Sequence, residues 1–233
     1  MQFDPPLEKA VLKKRYKRFL ADIALNDGRL VTAHCPNPGA MAGLNAPNST
    51  CWVSYKDDPK RKLPYTLEMI EVERQIVGIN TQHPNRLAED AIAKGLIGEL
   101  TGYDTLRREV KYGQNSRIDL LLQDPGKANC YVEVKNVHFV RTPKLAEFPD
   151  GVTARGTKHL GELISMVQEG HRAVQLFIIQ RDDIEALSPA GDIDPAYAGA
   201  LRAAQKAGVE ILAYACEVSP EAITVKRAIE VQI

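Results

Sequence analysis

The chain changes its hydrophobic period at His83-Pro84-Asn85, and a chain that does so must build two different bodies. Before that point apolar residues come in short alternating runs at residues 19–25, 29–34, 50–55 and 67–72. Turn signals part them: Asn26-Asp27-Gly28, then Cys35-Pro-Asn-Pro-Gly-Ala-Met41, then Asp57-Asp-Pro-Lys-Arg-Lys62. Several short strands with regular turns predict a small closed β-barrel. Periodicity alone leaves an OB barrel and an SH3-like barrel equally open. Trp52, Tyr55 and Tyr65 are expected in its core.

After the break the pattern alternates between helix and strand. Asn85 is the expected N-cap of a helix over residues 86–100, and strands are expected at 106–112, 117–122 and 130–137. A functional loop of about eighteen residues is expected next. Thr157 is read as the cap of a helix with Leu160, Leu163, Ile164 and Val167 on one face and Gly170 at its end. Residues 173–180 form a nearly continuous apolar run, the mark of a strand covered on both faces. Asp194-Pro195 starts a helix reaching Gly208, and strands are expected at 209–216 and 222–231. The fold class is α/β (α+β overall), with a barrel over residues 1–82 and a mixed-sheet α/β domain over 83–233.

Charge narrows the partners. The 233 residues hold 30 Lys+Arg and 30 Asp+Glu, a net of zero, which argues against binding nucleic acid by bulk positive charge. Residues 182–233 hold 4 basic and 9 acidic residues, so the first 181 carry a positive excess of five. The densest basic stretch contains Lys9, Lys13, Lys14, Arg15, Lys17 and Arg18, with Tyr16 and Phe19 interleaved. Cations for phosphates and aromatic faces for bases are what a polyanion binder uses, whereas a solvated strand face is the plainer reading. The four cysteines show no closely spaced pair, which speaks against zinc and for buried thiols in a reducing compartment. With no apolar run of membrane-spanning length and no signal-peptide core, the expected location is cytoplasmic.

The chemistry concentrates on Asp119, Glu133 and Lys135. On a strand Glu133 and Lys135 share one face, about 6.5–7 Å apart. Asp119 lies on the preceding strand, and an odd-length hairpin sets it opposite Glu133. Two adjacent carboxylates repel unless one is protonated or a cation lies between them. Mg²⁺ or Mn²⁺ suits such oxygen ligands, with the Val134 carbonyl as a third. Lys135 is then placed to orient or deprotonate a water, or to offset transition-state charge. Glu89 falls in the apolar stripe of the first helix, so either it is enclosed beside this site or the helix is shifted so that it faces water. Glu109, on one strand face with Lys111, is a further candidate for metal or water, or a surface ion pair. Arg155, Lys158 and His159 open the helix after the Glu-x-Lys strand, where cations and a helix N-terminus suit a phosphate, though His159 reads equally well as a partly buried helix residue beside Leu163.

Ile118-Asp119 followed by Glu133-Val134-Lys135 resembles the PD-(D/E)xK nuclease signature, with Ile in place of the usual Pro. Arg15-Tyr-Lys-Arg-Phe-Leu-Ala-Asp22, His34-Cys-Pro-Asn-Pro-Gly-Ala-Met41, Glu109-Val-Lys-Tyr-Gly113, Ser116-Arg-Ile-Asp119, Tyr131-Val-Glu-Val-Lys135 and Arg155-Gly-Thr-Lys-His-Leu160 resemble the sugar fermentation stimulation protein A family from end to end. The resemblance implies an N-terminal OB-like domain, a PD-(D/E)xK nuclease-like C-terminal domain, non-specific DNA binding and a regulatory role in maltose metabolism. Two readings follow: a DNA-binding protein with a Mg²⁺-dependent phosphodiester-cleaving site, or a DNA-binding regulatory module whose site is vestigial. A sugar enzyme finds no support, since no phosphate-binding Gly loop or nucleophile motif is present.

Overall fold

The computed structural model describes residues 1–113 and 116–233. Its first body uses β1 (Glu8–Tyr16), β2 (Leu20–Leu25), β3 (Leu30–His34), β4 (Thr50–Tyr55), β5 (Tyr65–Val72) and β6 (Gln75–Gly78). The strands pair in the order β3-β2-β1-β4-β5-β6, and a β3–β5 contact at His34↔Thr66 closes β1 to β5 into an OB-like barrel. Leu12, Ile23, Ala33, Met41, Leu67 and Ile70 fill it, each burying a side chain worth up to about 1.5–3 kcal/mol for the larger ones. The basic stretch is β1 itself. A bulge between Leu12 and Lys14 breaks its alternation, so Lys13 and Lys14 both face water. Trp52 and Tyr65 are buried as expected, but Tyr55 is not core: it is 52% exposed, its ring 5.1 Å from that of Tyr65.

The second body starts with α1 (Pro84–Ala93). His83, not Asn85, is its N-cap: Pro84, lacking an N–H, takes the first turn and moves the start forward. The helix is also shorter than expected, ending at Lys94 before Gly95 (φ 69°), and a separate 3-10 turn covers Gly98–Leu100. The next elements are β7 (Thr105–Tyr112), β8 (Ser116–Gln123), β9 (Cys130–Val137), β10 (Val140–Thr142), β11 (Leu145–Phe148), α2 (Ala154–Gln168), β12 (Arg172–Ile179), β13 (Ala186–Pro189), α3 (Pro195–Lys206), β14 (Glu210–Val218), β15 (Ile223–Ala228) and β16 (Glu230–Val231). The main sheet has the order β15-β14-β12-β9-β8-β7, with β12 parallel to both β9 and β14. All of β12 after Arg172 is buried, as its apolar run requires. The expected eighteen-residue loop is partly strand, because β10 and β11 join β13 and β16 in a four-stranded sheet.

Thr153, not Thr157, caps α2, accepting the Gly156 N–H at 3.1 Å. Gly156 suits that turn because a Cβ there would lie 2.9 Å from Thr153 Cγ2 and 3.1 Å from Tyr197. Asp194 caps α3 as expected and also accepts the Thr153 N–H, tying the two helix starts together. Leu87, Ala88 and Ala91 of α1 cover one face of the sheet together with Met1, Leu7, Trp52 and Met69, so one apolar cluster joins the two bodies. Leu160, Leu163, Tyr197 and Leu201 of α2 and α3 cover the other face. Gln180 completes the seam: its carbonyl accepts the Gly78 N–H at 2.8 Å, and its amide donates to Asn80 O and to Asn136 Oδ1. All four cysteines are buried and free. Among the described residues no helix is long and apolar enough to cross a membrane.

Candidate metal centre and nucleic-acid interface

The β8–β9 ladder runs through Leu122↔Cys130, Leu121↔Tyr131 and Leu120↔Val132 and then stops. One more step in that register sets Asp119 against Glu133, the expected juxtaposition. The ladder ends there because the Asp119 carboxylate replaces the backbone as acceptor: its Oδ2 takes the Val134 N–H at 2.7 Å, and Asn85 of α1 donates to Oδ1 at 2.8 Å. In a strand a residue's N–H and C=O point the same way, so the Val134 carbonyl also faces the gap between β8 and β9.

Glu133 is 2% exposed. Its Oε1 accepts from Lys135 Nζ at 2.7 Å and pairs with His159 Nδ1, while Oε2 is buried with no hydrogen-bond partner. Burial raises the Glu133 carboxyl, but the His159 hydrogen bond and the Lys135 charge outweigh it and hold the group below its ordinary value. Asp119 moves the other way, raised by burial and then by the Glu133 charge. The buried Tyr112 phenol is pushed up by burial and then by Glu133, Glu162 and Asp119. One carboxylate oxygen of the centre thus stays buried without a partner. That donor set fits a hard divalent cation. Among the described residues no three His, Cys, Asp or Glu converge on one point, so Glu89 does not complete an acidic cluster with Asp119 and Glu133.

The other expected residues are distributed differently. Glu89 is not enclosed. The apolar stripe of α1 is Leu87, Ala88 and Ala91, and Glu89 lies at its margin, a third exposed and 3.4 Å from Arg108 of β7. The α1 residue that does reach the centre is Asn85, one turn earlier, whose polar side chain had looked like a cap. Glu109 is exposed, with a left-handed backbone at φ 52° between the pairs Arg108↔Leu120 and Val110↔Ile118, so it stands in the row of Asp119. That turn interrupts the strand alternation expected to align it with Lys111. Its carbonyl accepts from Arg117 at 3.0 Å.

His159 is buried against Glu133 and so belongs to the carboxylate centre rather than to a surface awaiting phosphate. Arg155 is exposed and donates through Nε to His159 Nε2 at 3.3 Å, and Lys158 lies 3.5 Å from Glu162. In the barrel, Lys13, Lys14, Lys17 and Arg18 are exposed, Lys17 and Arg18 forming the left-handed tip of the β1–β2 hairpin. Lys13 reaches Asn48, and Lys14 stands 6.0 Å from the Tyr16 ring. Tyr16 is half-buried with its hydroxyl donated to Asp22. Arg15 turns inward and donates to the carbonyls of Asn37 and Gly39, each at 2.9 Å, so a role in gripping DNA does not match its position. The loop it holds abuts Asp150, since a Cβ on Gly39 would lie 2.5 Å from the Asp150 carboxylate. Asp150 precedes the α2 cap by three residues. Arg15 and its loop thus connect the basic strand to the segment before α2, at one seam.

Comparison with known proteins agrees with this architecture. The family model "SfsA N-terminal OB domain" matches residues 14–79, and "Sugar fermentation stimulation protein RE domain" matches residues 82–222. A sugar fermentation stimulation protein homolog of Maricaulis maris is 58% identical over 233 residues, covering 100% of this chain and 99% of the relative. One from Rhodospirillum centenum is 55% identical over 229 residues, covering 98% of each. The structure of Pyrococcus furiosus SfsA in complex with Ca²⁺ superposes with a TM-score of 0.89 at 29% identity, covering 100% of this chain and 98% of that one. With both bodies matched and more than half the residues shared with full-length relatives, the chain belongs to the sugar fermentation stimulation protein family.

Proposed function

We propose that this protein binds DNA through the phosphodiester backbone and cleaves it with Mg²⁺ or Mn²⁺ held by Asp119, Glu133 and the Val134 carbonyl. The observation that carries the reading is the buried, partnerless Oε2 of Glu133 beside an Asp119 whose carboxyl is raised by burial and then by Glu133. The Pyrococcus furiosus relative was described with Ca²⁺, which takes the same class of oxygen ligand. A bound cation at such a centre supplies a low-pKa water and polarises a phosphoryl oxygen. Lys135 keeps a cation against Glu133 and faces the developing phosphorane charge. Asn85 and the Val134 N–H hold Asp119 in place. Lys13, Lys14, Lys17 and Arg18 of the hairpin, with Arg155 and Lys158 of α2, line the backbone path. Glu89 and Glu109 flank that path as acidic neighbours of Asp119's strand.

Supercoiled plasmid incubated with Mg²⁺ or Mn²⁺ tests the reading. Nicking is expected from the wild type, and a loss of about 100-fold or more from Asp119→Ala and from Lys135→Ala. Cleavage unchanged in both variants would overturn it. One feature favours the second reading, a DNA-binding regulator with a vestigial site: both Asp119 oxygens already accept protein N–H groups. That reading expects binding in EDTA and no cleavage with any metal, and it makes occupancy of DNA alone the route to regulating sugar metabolism, maltose included.

A further inference from the structure

We infer that His159 is the positioning residue of the carboxylate centre, and that Arg155 sets it from the protein surface. The inference rests on the cation reading of Glu133. A glutamate side chain on a strand can turn either oxygen toward a gap, so something must decide which oxygen is offered. Here Oε1 is occupied twice, by Lys135 Nζ at 2.7 Å and by His159 Nδ1, and Oε2 is left open and buried. Lys135 alone is a poor guide, because an ammonium on a four-carbon stem follows its partner. His159 is rigid and 5% exposed, on a helix whose start is fixed by the Thr153 cap and by Gly156 against Tyr197.

The ring's hydrogen bonds dictate its tautomer. Arg155 Nε–H donates to His159 Nε2, so Nε2 is the acceptor and Nδ1 carries the proton donated to Glu133 Oε1. Lys135 Nζ, 3.5 Å from Nδ1, is itself a donor and is satisfied on Glu133. Of the Arg155 guanidinium only Nε makes this contact, so the hydrogen bond to His159 does not use its two outer nitrogens. A line of hydrogen bonds thus runs from the exposed start of α2 through a buried histidine to the carboxylate. A DNA phosphate docked on the outer nitrogens of Arg155 would stiffen that line, so substrate binding and cation binding reinforce each other. Partners that orient a ligating side chain in this way are typically worth about 10–100-fold in metal affinity.

Mn²⁺ titration of the full-length chain at neutral pH, read by electron paramagnetic resonance, tests this without any turnover. His159→Leu is expected to weaken Mn²⁺ binding by about 10–100-fold, and Arg155→Ala by about tenfold. His159→Asn, which keeps a side-chain N–H near the Nδ1 position, is expected to recover most of the affinity. Side-chain ¹⁵N spectra are expected to show the Nδ1–H tautomer in the wild type. Wild-type affinity in His159→Leu, equal weakness in His159→Asn and His159→Leu, or a dominant Nε2–H tautomer each overturns the inference. If His159→Leu does not fold, Arg155→Ala decides, and unchanged affinity there overturns it. Glu133→Gln separates the two levels: if that variant binds Mn²⁺ as the wild type does, the cation reading itself fails.

Discussion

At the residue scale, the centre shows how far spacing can be read and where it ends. Asp119 and Glu133 were legible because a hairpin register is arithmetic, and Lys135 because strands alternate. Asn85, His159 and Glu89 were not, because a helix residue's neighbours depend on where the helix begins, and Pro84 and Thr153 each start a helix earlier than the polar residues downstream suggested. A second buried carboxylate, Glu68 on β5, allows a test independent of the metal. It is 5% exposed and accepts from Ser54 and Asn80, each at 2.7 Å, with His83 Nε2 at 2.8 Å. Burial raises this carboxyl, yet the hydrogen bonds from His83, Ser54 and Asn80 leave it below the ordinary value of 4.5. A depressed folded value means that its stabilisation is complete above the unfolded value and is lost as pH falls through the folded one. Glu68→Gln is expected to cost about 1–3 kcal/mol at neutral pH. The gap to the wild type should narrow once pH drops below about 4.5. Thermal unfolding across that range checks it, and a gap that stays constant into acid would refute the assignment.

At the element scale, the long periodic segments were readable and the short ones were not. β12 and α3 carry enough residues for a buried run or a capped helix to stand out. β10, β11, β13 and β16 have only two to four residues each, too few for any period, and they exist because they pair with one another across distant parts of the chain in a sheet of their own. β1 reads as a solvated strand face but without bounds, because its bulge sets Lys13 and Lys14 side by side on the outside and breaks the alternation that marks a strand. The start of α2 bears most on the proposed centre, since Thr153 caps the helix that carries Arg155 and His159. Thr153→Ala removes the acceptor for the Gly156 N–H and is expected to lower stability by about 1 kcal/mol. It should also weaken Mn²⁺ binding several-fold through the loosened His159, an effect of about the lower end of outer-shell changes. Urea unfolding and Mn²⁺ titration of the same sample separate the two. A stability loss with unaltered affinity would show that the cap does not govern the centre.

At the scale of the whole molecule, zero net charge proves compatible with a polyanion partner because the charges are segregated. The acidic excess lies in residues 182–233, while four exposed cations stand on one hairpin beside Phe19, which is 47% exposed. Arg15, from the same strand, does not join them; it spends its guanidinium on the loop that abuts Asp150, and so ties the hairpin to the α2 seam. Gln180 and the shared apolar cluster also hold the two bodies together. The barrel is therefore joined to the second body rather than tethered to it, and in the proposed reading its cations act on a DNA strand bound across Asp119 and Glu133. Replacing Lys13, Lys14, Lys17 and Arg18 by Ser should weaken DNA binding uniformly across sequences. Each cation that meets a phosphate contributes about 1 to the slope of log affinity against log salt, so the slope should flatten by up to about 4. The fold should survive, because all four side chains are exposed. Binding measured in EDTA over a range of salt, on the Asp119→Ala background to exclude cleavage, provides the slope. An unaltered slope would move the DNA path off the barrel hairpin and leave α2 as the cationic wall.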